Sequence, residues 1–199
     1  MEFREVVRKR RMVRAYEQRP VPAELAERLL DTARRAPTAG FAQGVDFVVL
    51  DTPGSVARFW ALTDDPAFPM DPEELAAGPP VVVLAFSDPR RYLDRYSEPD
   101  KIEFGLDEAE AWPVAFWDTD TAMACMQLLL AAVDAGLGAW FFGIDHGQAE
   151  LRAELGVPED RNLVGIVGLG YADPTETPKG SGSARPRRPL EEQVHRNRW

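Results

Sequence analysis

Cysteine is nearly absent from this chain: Cys125 is the only one in 199 residues. No intrachain disulfide is possible, and a reducing compartment fits. Histidine is almost as scarce. His146 and His195 are the two present, and their spacing builds no zinc site. No apolar run approaches the roughly 20 residues that a membrane helix needs. The first residues, Met1-Glu2-Phe3-Arg4-Glu5, are charged and lack the apolar core of a secretory signal, so a cytoplasmic location is expected. A Walker phosphate loop is missing too. Gly168-x-Gly170 has no third glycine, and Asp173-Pro174 breaks the chain where a dinucleotide-binding helix would begin. No serine stands in a nucleophile elbow. Positive charge is in deficit, with 23 Lys and Arg against 33 Asp and Glu and a net charge of -10, which argues against nucleic acid as the main partner.

The basic residues that do occur are segregated. Thirteen of the 23 lie in residues 1–19 and 179–199, whereas residues 20–178 carry a net charge of -18. Two charged ends that simply face water would account for this, as would a small anionic ligand clamped where the ends meet. The run Arg10-Arg11-Met12-Val13-Arg14 lies just past a helix end, where the backbone can bend around a ligand. Guanidinium groups grip phosphate oxygens bidentately and stay charged at any working pH. The tail offers Arg185, Arg187 and Arg188 among prolines, which favour extended backbone. Local carboxylate clusters such as Glu103 to Glu110 read as solvated faces. Asp120 and Asp145 read as caps of the helices that follow them. Nothing in the chain supplies strong chemistry of its own, which points to a borrowed cofactor.

Periodicity places helices over 2–10, 22–36, 53–62, 121–135 and 148–155, and strands over 46–50, 81–86, 139–144 and 162–171. Val81 to Phe86 is apolar throughout, the signature of a strand buried on both faces. Residues 88–117 mix aromatics with charges and read as a partly helical excursion. The helix from Thr121 to Ala135 has no polar face, so it should be covered on all sides. A chain of this size has little room to cover it alone, and a dimer is the simpler answer. A charge at Leu129 is then expected to disrupt the dimer or the fold. Pro174 to Pro189 reads as an irregular connector within an extended tail, 174–199. The expectation is one domain over 1–199 of class α+β: a central, mostly antiparallel sheet wrapped by helices.

Five segments, in order, resemble the nitroreductase family. They are Arg10-Arg11-x-x-Arg14, Ala36-Pro37-Thr38 with Gln43, Gly136-x-Gly138-Ala139-Trp140-x-x-Gly143, Leu155-Gly156-x-Pro158, and Arg187-Arg188-Pro189-Leu190-Glu191-Glu192-x-Val194-His195. The resemblance implies an intertwined homodimer with two FMN sites at the interface. By it, Arg10, Arg185 and Arg187 look like phosphate ligands, and Arg11 a contact near the ribityl chain and phosphate. Arg14 looks like the cation beside N1 and O2 of the flavin, stabilising charge that builds up on reduction. Pro37 and Thr38 look like contacts from the neighbouring subunit, and Gln43 is counted with the cofactor-binding set. Trp140, Phe141 and the Gly143 backbone look like the wall near the dimethylbenzene ring and N5. Met12 stands where a polar residue is common and is counted with this cofactor set, although it bonds ribityl hydroxyls poorly. Phe41 replaces a common asparagine.

In the family the 88–117 stretch often forms a lid, so Tyr92, Tyr96, Lys101 and Trp112 are candidate substrate contacts. The implied activity is ping-pong transfer from NAD(P)H to a small electron-poor acceptor, nitroaromatic or quinone-like. No catalytic proton donor and no metal ligand is identified. The alternatives are a non-catalytic flavin-binding redox sensor or store, and a same-fold enzyme using a deazaflavin. Flavin cleavage and a flavin-free structural dimer with charged ends are further alternatives. Ala36 to Gln43 is similar to the flavin-destructase branch, but that branch carries an aspartate where Met12 stands.

Overall fold

A computed structural model describes residues 1–176 and 185–199. Seven helices and four strands run in the order α1 (Phe3–Lys9), α2 (Ala23–Ala33), β1 (Val45–Leu50), α3 (Pro53–Thr63), α4 (Pro72–Ala76), β2 (Val81–Ser87), α5 (Pro89–Tyr96), α6 (Phe116–Asp134), β3 (Gly138–Phe142), α7 (Gln148–Glu154) and β4 (Asn162–Gly170). The strands form one sheet in the order β1-β2-β4-β3, with every pairing antiparallel. The fold is therefore the expected α+β class. The tail adds a single turn at Leu190–Glu192. Of the connector expected over 174–189, residues 177–184 lie outside those described. No described helix is long and apolar enough to cross a membrane.

β2 explains the layering. Its side chains alternate between faces, and all seven residues are buried. Val81, Val83 and Ala85 pack with Leu128, Leu129 and Ala132 of α6 and Leu29 of α2. Val82, Leu84 and Phe86 pack with Phe59 of α3 and Leu151 of α7. A local run of apolar residues therefore needs helices on both sides, and the chain supplies them.

The buried centre of α6 also settles the state of the single thiol. Cys125 is 2% exposed, and burial raises its pKa to about 11. At pH 8 it stays protonated and unreactive. A thiol reagent should label the folded protein far more slowly than the unfolded one. Equal labelling rates would show that the α6 packing is wrong.

Residues 88–117 are partly helical as expected: α5 is started by Pro89 and capped by the Asp88 carboxylate, which accepts from Arg91 N–H. One reading is corrected. α6 starts at Phe116, so Asp120 lies inside it and caps nothing; the Asp145 cap is also absent, because Gly147 precedes α7. Leu129 is 4% exposed and faces this chain's own core. A charge there breaks the fold before it reports on any partner. The large apolar residues that α6 leaves exposed are Phe116 at its start and Met123 and Met126 further along.

Candidate functional site

β3 is an edge strand, and its free edge organises the arginine-rich segment. Beyond α1 the chain runs alongside it: Met12 bridges Ala139, and Val13 N–H donates to Ala139 O at 3.0 Å. Gly138 permits this approach, since a Cβ there would sit 2.8 Å from the Val13 side chain. The Met12 sulfur accepts from Phe141 N–H at 3.4 Å, covering an edge donor that would otherwise need water. Met12 thus spends its side chain on the sheet edge.

Arg14 follows, with its guanidinium carbon 5.5 Å from the Trp140 ring centroid, a cation–π contact. Trp140 stacks on Phe142 at 4.2 Å, and Phe142 stacks on Trp60 of α3 at 5.7 Å. This aromatic stack fixes the plane under Arg14. Phe141 points the other way and packs over Gly165 into the α6-side core. The Trp140 and Phe141 side chains therefore face opposite sides of the sheet. The strand period of two sends adjacent side chains to opposite faces. Gly143 is exposed just past the strand end.

The arginines divide into two kinds. Arg11 is ion-paired with Glu176. Arg10, which follows the end of α1, and Arg14 have no carboxylate partner among the described residues. Arg185 and Arg187 lie in exposed, irregular backbone. Among the described residues the tail's hydrogen bonds are internal, such as Arg188 Nη2 to Glu192 O at 2.7 Å. The clamp between the two ends is therefore not made by the described residues of a single chain.

Pro37, Thr38 and Gln43 lie in a second group. Phe41 and Gln43 have φ of 60° and 54°, the left-handed region that side chains other than glycine rarely adopt. Three bonds hold this strained turn. Thr38 Oγ1 accepts from Gln43 N–H at 3.0 Å, Arg95 Nε donates to Gly40 O at 2.9 Å, and Asp120 Oδ2 accepts from Ala39 N–H at 2.8 Å. The same Asp120 oxygen accepts from Tyr92 Oη at 2.9 Å. Burial first, and then Asp120, push the Tyr92 phenol pKa upward, so this hydroxyl stays a donor. Asp120 was not visible as a site-shaping residue in the sequence, where its partners lie 28 and 81 positions away.

Of the lid candidates, Tyr92 has no exposed surface, and Trp112 is buried beside it with Trp117. Side chains so enclosed touch no ligand in this conformation. They form the packing beneath the 38–43 turn, and their expected role is corrected accordingly. Tyr96 is half-buried against Gly40, and Lys101 Nζ lies 5.8 Å from the Tyr96 ring centroid. These two stay on the outer side of the cluster.

The two groups sit towards opposite ends of α6. Arg11 and Val13 line one hollow with Val133, Asp134 and Gly136. The 38–43 turn is tied to Asp120, near the helix start. At 1.5 Å per residue the separation along the helix is roughly 20 Å.

Comparison with known proteins identifies the family and the fold. A model described as the nitroreductase family matches residues 7–171. A relative from Archaeoglobus fulgidus, named for NADH dehydrogenase and NAD(P)H nitroreductase activity, is 27% identical over 194 residues, covering 96% of this chain and 94% of the relative. A Staphylococcus epidermidis NADPH-dependent oxidoreductase is 23% identical, covering 98% of this chain and 73% of its own length. Among solved structures, a nitroreductase family protein from Streptococcus pneumoniae aligns with a TM-score of 0.75 at 19% identity, covering 98% of this chain and all of that one. A structure from Exiguobacterium sibiricum, described as a nitroreductase in complex with FMN, aligns at 0.72 and 20% identity, covering 98% and 97%. At these identities the structures speak for the fold.

Proposed function

The chain belongs to the nitroreductase family, and on that premise we propose that it is an FMN-dependent oxidoreductase working as a homodimer. Its substrates are NAD(P)H and a small electron-poor acceptor. The observation that carries this reading is a pair of arginines, Arg10 and Arg14, left without carboxylate partners among the described residues of an acidic chain, with Arg14 set against the Trp140 face. Such residues fit a ligand that has a phosphate and a flat ring. FMN, when bound, supplies two-electron transfer, with NAD(P)H and the acceptor using the site in turn.

The chain's own residues place and polarise. Arg10 holds the phosphate, joined by Arg185 and Arg187. Arg14, oriented by the Trp140 ring, offers positive charge where negative charge builds up on reduction, in a site from which water is partly excluded. Pro37, Thr38 and Gln43 are carried by a strained turn that the packing over-determines, as is common at functional sites. They lie roughly 20 Å along α6 from the arginine loop. A ligand gripped by both groups therefore takes one from each of two chains. The exposed apolar residues Phe3 and Val7 of α1 and Met123 and Met126 of α6 suit the interface that brings them together. Tyr96, on the outer side of the aromatic cluster, and Lys101 beside it are placed to select the acceptor.

The test is the absorption spectrum of the purified protein. The expected result is a flavin spectrum that bleaches within seconds when NADH or NADPH is added without air and returns when a nitroaromatic or quinone is supplied. A yellow protein that neither cofactor bleaches would support a sensor, a flavin store or a deazaflavin-linked enzyme. A colourless protein that takes up no FMN would refute the reading.

A further inference from the structure

The turn after β4 folds the chain back on the arginine loop. Tyr16 bridges Ala172 in antiparallel fashion, Glu17 N–H donates to Tyr171 O at 2.9 Å, and Asp173 N–H donates to Ala15 O at 3.0 Å. This short ladder zips residues 15–17 to 171–173. Asp173 then closes a turn: its carboxylate accepts from Thr175 N–H and Oγ1, both at 2.7 Å, and Glu176 N–H donates to Asp173 O at 3.1 Å. Pro174, with its fixed φ, suits the second position of that turn. The outcome is that the Glu176 side chain is delivered to the loop, where it is only 10% exposed.

One carboxylate there meets three donors. Glu176 Oε1 accepts from Arg14 N–H at 2.7 Å and Ala15 N–H at 3.2 Å, while Oε2 takes the Arg11 guanidinium. Burial by itself opposes ionisation of Glu176. The bonds from Arg14 N–H, Arg11 and Ala15 N–H outweigh it and hold the carboxyl below its usual range. Arg11 and the backbone of Arg14 are therefore committed within the protein. Arg10 and the Arg14 guanidinium are not.

We propose that Glu176 is a positioning residue for the cofactor loop: it locks the 11–15 backbone through Arg11 and the Arg14 and Ala15 N–H groups and thereby aims Arg10 and Arg14 at the ligand. Arg11 is then a scaffold residue and not a ligand contact, which departs from the role the family resemblance implies for it. The ligand-directed half of this inference rests on the FMN reading above, whereas the lock itself does not.

The experiment compares Arg11→Ala, Glu176→Ala, Glu176→Gln and the Arg11→Ala/Glu176→Ala double variant by two readouts. One is FMN affinity, from quenching of free-flavin fluorescence. The other is hydrogen exchange of the peptide covering residues 11–17 in the flavin-free protein. Each single alanine variant should lose on the order of 10-fold in FMN affinity, and the double variant should lose no more than the worse single one, because both break one lock. Exchange at 11–17 should quicken in all of them. Glu176→Gln keeps an acceptor for the two N–H groups and should lose less on both counts, and it also serves if the alanine variant folds poorly. The proposal is overturned if Arg11→Ala weakens FMN binding while Glu176→Ala leaves it unchanged, since Arg11 would then touch the ligand directly. Losses that simply add would overturn it as well. If the wild-type protein binds no FMN, the functional reading fails. Unchanged exchange at 11–17 in Glu176→Ala would separately remove the lock.

Discussion

Replacing Arg10 with alanine is expected to weaken FMN binding by about 10- to 150-fold, because a hydrogen bond to a charged group contributes roughly 1.5–3 kcal/mol. Arg10 follows the end of α1, and its backbone N–H is already bonded to Val6 O at 3.0 Å. Its side chain pairs with no carboxylate among the described residues. Removing it therefore orphans no buried group, and the stability of the flavin-free protein should change by only about 0.5 kcal/mol. That separation of binding from folding is the useful feature of this site. Arg10→Lys should recover part of the affinity, since an ammonium keeps the charge but loses the planar fork. The loss should also shrink as salt rises, through screening. Titration of fluorescence quenching at two ionic strengths measures all of this. An alanine variant with wild-type affinity would mean that the phosphate lies elsewhere.

Met126→Asp should convert a dimer to monomers and release the flavin with it. Met126 is 42% exposed on α6 in the single chain, so an aspartate there is nearly neutral for a monomer. Buried without a partner in an interface, the same charge would cost several kcal/mol. Leu129→Asp is the control. Leu129 is 4% exposed in the chain's own core, so its variant should unfold and not merely dissociate. Sedimentation velocity, circular dichroism and bound-flavin absorbance separate the cases. The expected pattern is a folded, colourless monomer for Met126→Asp and an unfolded chain for Leu129→Asp. A Met126→Asp dimer that keeps its flavin would put the interface on another face.

These two predictions also show how unevenly the molecule could be read in advance. The expectation of a partner surface on α6 came from its lack of a polar face. The residue to mutate did not: only packing against β2 and β4 distinguishes Leu129, turned inward, from Met126, turned outward. The opposite aim of Trp140 and Phe141 could have been read from the two-residue period of a strand, but motif matching groups neighbours by sequence. Tyr92 and Trp112 looked like lid residues because the family resemblance implies a lid over 88–117, and aromatics amid charges have no period that would show them buried. Their burial depends on Trp117 and Ala42, which come from separate segments.

What the sequence by itself determined is what depends on neighbours along the chain. It set the four strands and five of the seven helices, to within about five residues at their ends, but not α4 or α5. It set the burial of β2 on both faces, by an uninterrupted apolar run, and the concentration of arginines at the two ends. Tertiary structure alone decided which of those arginines are free, because Arg11 meets its carboxylate across 165 positions. It also decided that Asp120 holds the 38–43 turn and that the strands pair as β1-β2-β4-β3. Charge and apolarity are properties of a residue. Whether a guanidinium is neutralised or left to bind a ligand is a property of the distance to its nearest anion, and only the folded chain sets that distance.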